Sequence, residues 1–251
     1  MNICKKELAI LLAESKALYF ADGLFLKDGR PTPYFVNFGL FHKGRLICDL
    51  GRIMASYLVD TKTVEDFDVI VAPSYKGSAL AAAVAIALWK IYQVDKGFDY
   101  DRKEAKTHGE ASHAGALFVT GALHDGARVL IIDDVATTMN TKLDLLGKLT
   151  AEAVKNGHSY YPAGVCLYLD REQTTAVYDS AGVAMIGEKG QNAIKNFKLK
   201  TSLEVQVICG IREIVEFLHN EKVPVLQKGT MAPLSSATVE DLFSYLQTYG
   251  V

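Results

Sequence analysis

Two hydrophobic periods alternate along this chain. Five short apolar runs have the length and β-branched content of strands buried on both faces: FDVIVA (67–72), GALFVT (115–120), RVLIID (128–133), AGVCLYLD (163–170) and VQVIC (205–209). Helical patterns lie between and around them. SALAAAVAIALWKIY (78–92) is apolar nearly all round and predicts a largely buried helix. TKLDLLGKLTAEAVKNG (141–157) spaces Leu145, Leu146, Leu149 and Val154 at near-helical intervals and stops at Asn156-Gly157. IREIVEFLHN follows the last strand as a further helix, and an amphipathic helix opens the chain. A closing helix is expected near the end, capped by Thr238 with Glu240 and Asp241 in its first turn. The stretch 172–200 is polar with weak periodicity and reads as loop plus one helix. Strands alternating with helices predict an α/β fold, a parallel sheet covered on both faces. Ligands of such sheets bind beyond the carboxyl ends of the strands.

Composition narrows the picture in three ways. With 251 residues, 49% of them hydrophobic, the chain can bury one sizeable core. A formal charge of -2 gives no reason to expect a nucleic-acid or membrane-surface partner, and no run reaches the ~18 apolar residues of a membrane helix. Cys4, Cys48, Cys166 and Cys209 form no CxxC pair, as expected of reduced thiols in a cytoplasmic protein. Glu7 and Glu14 interrupt the apolar N-terminal patch, which fits a helix better than a signal peptide.

Five segments carry candidate chemistry. In RVLIIDDVATTMNTK (128–142), Asp133 and Asp134 end a strand, and residues 135–140 lead to a helix N-terminus. Free N–H groups and the dipole there attract phosphate, while two carboxylates could hold ribose hydroxyls or a hydrated magnesium. An ordinary strand end with capping acids would look the same. In VAPSYKGSALAAA (71–83), Lys76 and the loop N–H groups could bind a second phosphate, or the segment is a plain strand-to-helix turn. In DYDRKEAKTHGEASHAG (99–115), Arg102, Lys103, Lys106 and His108 place four cations within seven residues. That segment could neutralise a polyphosphate, or be a solvated charged loop. His113 and His124 read as surface residues. In LKDGRPTPYFVNFGLF (26–41), Lys27 and Arg30 flank a Gly turn before an aromatic run; Phe35 could lie against a flat anionic ring or simply pack. In YLDREQ (168–173), Arg171 just past a strand end could grip a planar carboxylate, or be exposed.

Taken together and in order, LKDGRPTPYFVNFGLF, APSYKGSALAAAVA, YDRKEAKTHGE, VLIIDDVATT and LDREQ resemble the orotate phosphoribosyltransferases, over about residues 20–175. DDVATT alone resembles type I phosphoribosyltransferases at large. The resemblance implies a five-stranded parallel core with helices on both faces and a small hood, within a single domain 1–251. The hood would come from about residues 1–45 and part of the C-terminal region. It implies transfer of ribose 5-phosphate from phosphoribosyl pyrophosphate to orotate, with magnesium, in de novo pyrimidine synthesis. It implies a homodimer with shared active sites. Position by position, Lys106, His108, Asp133 and Asp134 would carry catalysis. Lys27, Tyr75, Lys76, Arg102, Lys103, Lys106 and His108 would bind phosphoribosyl pyrophosphate, together with the cradle Asp133, Asp134, Val135, Ala136, Thr137, Thr138, Met139, Asn140 and Thr141. Lys27, Phe35, Val36, Thr137 and Arg171 would meet orotate. No protein group would bind magnesium directly; Asp133 or Asp134 would reach it through water. The Ser74–Tyr75 peptide would be cis.

The chain departs from that pattern in two places. Thr138, Met139 and Asn140 stand where the family has a small residue, Gly and Thr. Glycine there permits φ > 0 and close backbone approach to phosphate, so altered cradle geometry is expected. Residues 173–191 are longer than the family's usual connection. Two other classes share part of the pattern. A transferase for a purine or uracil would keep the twin aspartates without the Arg171 and RKEAKTHGE pairing. A sensor of phosphoribosyl pyrophosphate would need a basic nucleic-acid face or an attached DNA-binding domain, and a charge of -2 does not favour the first.

Overall fold

Alternation along the buried strands decides the layering. In the computed structural model, which describes residues 1–103 and 116–251, the side chains of each apolar run divide between two cores. Ile70, Leu130, Ile132, Cys166 and Tyr168 face one core; Val69, Val71, Val129, Ile131, Val165 and Leu167 face the other. A period of two in a strand sends successive side chains to opposite faces, so a continuous apolar run must be covered twice.

The chain order is α1 (Ile3–Glu14), β1 (Leu18–Phe25), β2 (Pro31–Val36), α2 (Gly44–Asp60), β3 (Val69–Ala72), α3 (Lys76–Tyr92) and β4 (Gly97–Tyr100). It continues with β5 (Arg128–Ala136), α4 (Asn140–Asn156), β6 (Tyr161–Asp170), α5 (Ala193–Thr201), β7 (Val205–Gly210), α6 (Ile211–Asn220), β8 (Pro224–Gln227), β9 (Thr230–Pro233) and α7 (Ser236–Tyr249). The main sheet has five strands in the order β4-β3-β5-β6-β7, every pair parallel. The first core draws on α1, α2, α3, α6 and α7, the second on α4 and α5. This is the expected α/β fold with helices on both faces. A second sheet, β2-β1-β8-β9, joins residues from both parts of the chain through a parallel β1–β8 pair.

Three sequence expectations change. The expected strand 115–120 is not a sheet strand: from 116 onward it holds one isolated bridge, Phe118 to Asp101, and Gly115 lies outside the described residues. The fifth strand is β4 instead. The cause is buried Asp99, whose carboxylate accepts N–H bonds from Val119 (2.9 Å), Thr120 (2.9 Å) and Gly121 (3.2 Å), removing those donors from any ladder. Thr238 does not cap the last helix. Ser235 does, accepting from the Thr238 N–H at 3.1 Å, so Glu240 and Asp241 fall beyond the first turn. The long helix α2, with Leu46, Leu50, Ile53, Met54 and Leu58 buried along one face, was not anticipated.

Candidate active site

Because the main sheet is all parallel, its carboxyl ends share one edge. β3 delivers Pro73 to Lys76 there, β4 delivers Asp101 to Lys103, β5 delivers the twin aspartates and β6 delivers Arg171. Four of the five candidate segments thus converge through topology alone. The fifth, in β2, arrives with the second sheet.

The twin aspartates diverge. Asp133 shares strand parity with Ile131 and faces the α4 side, where Lys142 meets it. Lys142 is almost wholly buried, forms an ion pair with Asp133 and donates to the Val135 carbonyl at 3.3 Å. The other Asp133 oxygen accepts the Asp134 N–H at 2.9 Å. Asp134 falls on the opposite parity and is half-buried. Burial, and then the Asp133 charge, push its carboxyl up to about 6, while Lys142 and Lys76 pull the other way. One carboxylate is therefore committed to an internal cation and its neighbour is left open.

The cradle 135–141 follows. Met139 takes φ +63° directly before α4, the conformation expected of a glycine. Its side chain is 1% exposed and packs into the second core with Leu145 and Leu149. Burial of the thioether offsets a left-handed cost of about 1 kcal/mol, so the backbone path survives the substitution. Thr137, Thr138, Asn140 and Thr141 are exposed around it, Val135 is half-buried and Ala136 is buried.

On the β3 side, the Ser74–Tyr75 peptide is cis, as the resemblance implied. Tyr75 is 77% exposed, and Lys103 lies over its ring at 5.9 Å. Lys76 is exposed, its stem passing Gly39, where an added Cβ would stand 3.9 Å from the Lys76 Cε. Arg102 is half-buried, its Nε 3.4 Å from the Phe118 carbonyl. Lys106 and His108 lie outside the described residues.

At the end of β6, Arg171 is buried rather than exposed. Its guanidinium carbon sits 5.1 Å from the Tyr34 ring and 5.8 Å from Phe35. The Tyr34 hydroxyl donates to the Arg171 carbonyl at 3.3 Å and accepts from Gln173 at 3.2 Å. The Arg171 Nη2 is buried with no acceptor among the described residues. Val36 is half-buried at the end of β2. Lys27 is exposed on the turn before β2, and the structure gives it no partner among the described residues. Arg30 is buried, paired with Asp28 at 2.9 Å and laid over Tyr249, and its Nη1, like the Arg171 Nη2, is buried with no acceptor among the described residues.

Lys142 was missed in the sequence. A signal existed: a lysine in the first turn of a helix opposes the dipole and calls for a nearby anion. Asp101 and Lys148, which pair beside the site, gave no such signal.

A parallel sheet whose carboxyl edge gathers a twin-aspartate strand end, a cradle before a helix and a cationic loop defines a phosphoribosyltransferase, and the phosphoribosyl transferase domain model matches residues 41–179. Orotate phosphoribosyltransferase from Bifidobacterium longum is 34% identical over 244 residues, covering 95% of this chain and 94% of the relative. That from Saccharophagus degradans is 34% identical over 254 residues, covering 100% of both. Among solved structures, orotate phosphoribosyltransferase of Francisella tularensis superposes with a TM-score of 0.71 at 26% identity over 98% of each chain. The chain belongs to the orotate phosphoribosyltransferase family.

Proposed function

We propose that the protein transfers ribose 5-phosphate from phosphoribosyl pyrophosphate to a ring nitrogen of orotate, releasing pyrophosphate, in the cytoplasm and as a homodimer with shared active sites. The observation that carries the reading is Arg171: a buried guanidinium beside Phe35, with an N–H lacking an acceptor among the described residues. A buried donor left unmet costs about 1–3 kcal/mol. A flat anionic base supplies both the acceptor and a face for Phe35, with Val36 and Thr137 flanking it and Lys27 at the rim. Uracil and purines lack that carboxylate.

In the reaction the C1–O bond of the ribose breaks, pyrophosphate keeps the electron pair, and the orotate ring nitrogen gives up its proton to solvent and forms the new bond to C1. The chain needs no nucleophile of its own. Its tasks are to hold the reactants in line and to stabilise separating charge. The cradle 135–141 receives the 5-phosphate on backbone N–H groups before α4. Asp134 stands beneath the ribose, favouring positive charge at C1. Tyr75, Lys76, Arg102 and Lys103 face the pyrophosphate, with Lys106 and His108 assigned to the same task.

The described residues contain no group of three or more His, Cys, Asp or Glu side chains able to enclose a metal. Asp133 is taken by Lys142, which leaves Asp134 as the open carboxylate. This donor set fits a hydrated magnesium bound mainly by substrate and reached by Asp134 through water. When bound, magnesium supplies charge neutralisation of the departing pyrophosphate.

The test is orotate consumption, followed by absorbance, with phosphoribosyl pyrophosphate and magnesium; uracil, adenine and hypoxanthine are assayed in parallel. Orotate alone should be consumed. Arg171→Met should lower kcat/KM for orotate by about 10–100-fold, the worth of a charge-assisted hydrogen bond. Turnover of another base but not orotate would overturn the assignment. Sedimentation of the purified protein at twice the monomer mass is the expected companion result.

A further inference from the structure

Asp101 and Lys148 lie at the centre of a connected cluster beside the site. Asp101 directly follows β4 and is 5% exposed. One carboxylate oxygen accepts the Ser74 N–H at 2.6 Å. The other pairs with Lys148 of α4. The Ser74 hydroxyl donates to the Asp101 carbonyl. Lys148 also donates to the Arg102 carbonyl at 2.9 Å. One turn further along α4, Glu152 accepts the Leu117 N–H at 3.0 Å. The two approaches to the basic segment are themselves tied, Arg102 N–H to the Leu117 carbonyl at 2.7 Å.

Helix α4 is thus engaged along its length. Its start carries the cradle; its middle holds Asp101, Arg102 and Leu117; and through Asp101 it holds Ser74, two residues from Lys76. A pair that only stabilised the fold would have no need to join three substrate-facing segments. We propose that Asp101 and Lys148 are positioning residues that set the Pro73–Lys76 loop and the Arg102–Lys103 stem in register with the 5-phosphate cradle. The cluster therefore governs the pyrophosphate half of the site and not the base half. Among the described residues, no hydrogen bond or ion pair joins it to Arg171 or Phe35. The proposal rests on reading this site as one for phosphoribosyl pyrophosphate.

The experiment is steady-state kinetics with each substrate varied in turn, alongside calorimetric titration of phosphoribosyl pyrophosphate without orotate. Lys148→Met should raise KM and Kd for phosphoribosyl pyrophosphate about tenfold, the loss of one part-buried charged contact. KM for orotate should stay within about twofold. Lys148→Arg should restore most of the loss. Asp101→Asn keeps an acceptor for the Ser74 N–H but removes the ion pair, and should share the selective defect; it serves if Lys148→Met does not fold. Equal changes in both KM values, or a lowered Tm with unchanged kinetics and binding, would reduce the cluster to a structural tie. Wild-type protein that binds phosphoribosyl pyrophosphate while the variants bind it equally sinks the clamp alone. Wild-type protein that does not bind it sinks the site reading, and the clamp with it.

Discussion

Two adjacent aspartates of identical chemistry have become different groups here. The strand period sends them to opposite faces, and Lys142 finds only one. Asp134, raised to about 6, carries a stability consequence with a definite sign. Its native pKa lies above the unfolded value of about 4, so its contribution is fully present below pH 4 and is lost as pH rises through 6. Asp134→Asn removes that dependence. The difference in Tm between variant and wild type should therefore grow in the variant's favour between pH 4 and 7, read by thermal melts at fixed ionic strength. Parallel curves across that range would mean that Asp134 titrates near its ordinary value. Met139 makes the complementary point at this scale. Its identity argues against a left-handed φ, yet its buried side chain secures one.

At the scale of elements, Asp99 decides which segment joins the sheet. GALFVT has strand-like composition, but composition does not say where its N–H groups go. Two of them, those of Val119 and Thr120, join the N–H groups of Gly121 just beyond and of Tyr100 at 2.8 Å on one carboxylate near the end of β4. Asp99→Ala leaves these donors without their acceptor and should cost about 2–4 kcal/mol, seen as a lower urea midpoint with an unchanged m-value. A loss under about 0.5 kcal/mol would show that water replaces the carboxylate freely. The missed helix α2 has a different origin. Its apolar face is present in the sequence, but it lies between the aromatic run of β2 and the buried strand β3, outside the regular alternation of strand and helix.

Over the molecule as a whole, the two sheets share one apolar core, and a single hydroxyl ties the second sheet to the end of β6. Tyr34 on β2 reaches the Arg171 carbonyl, Gln173 and, edge-on, the Tyr245 ring of α7 at 6.3 Å. Tyr34 is wholly buried, and burial pushes its phenol up to about 12, so it stays a neutral donor. Tyr34→Phe keeps the packing and removes the hydroxyl. KM for orotate should rise about threefold to tenfold as Arg171 loses its reference, while KM for phosphoribosyl pyrophosphate stays level. An equal rise for both substrates would place the coupling elsewhere.

The layered α/β core is legible in the residue pattern alone, because runs apolar at every position can be satisfied only by burial on two faces. The sequence also determined the site's raw materials: twin aspartates at a strand end, a lysine loop, a basic segment and an arginine, in an order that resembles one family. Which of these groups are still free to act was settled by contacts between distant parts of the chain. Lys142 takes Asp133 across a strand-to-helix gap; Asp101 reaches Ser74 from 27 positions away; Tyr34 meets Arg171 from 137 positions away. Local periodicity carries no information about such pairings, since each depends on strand order and on the sides from which helices cover the sheet. Charge and hydrogen-bond capacity are written in the residues, but their assignment is made only when the chain closes on itself.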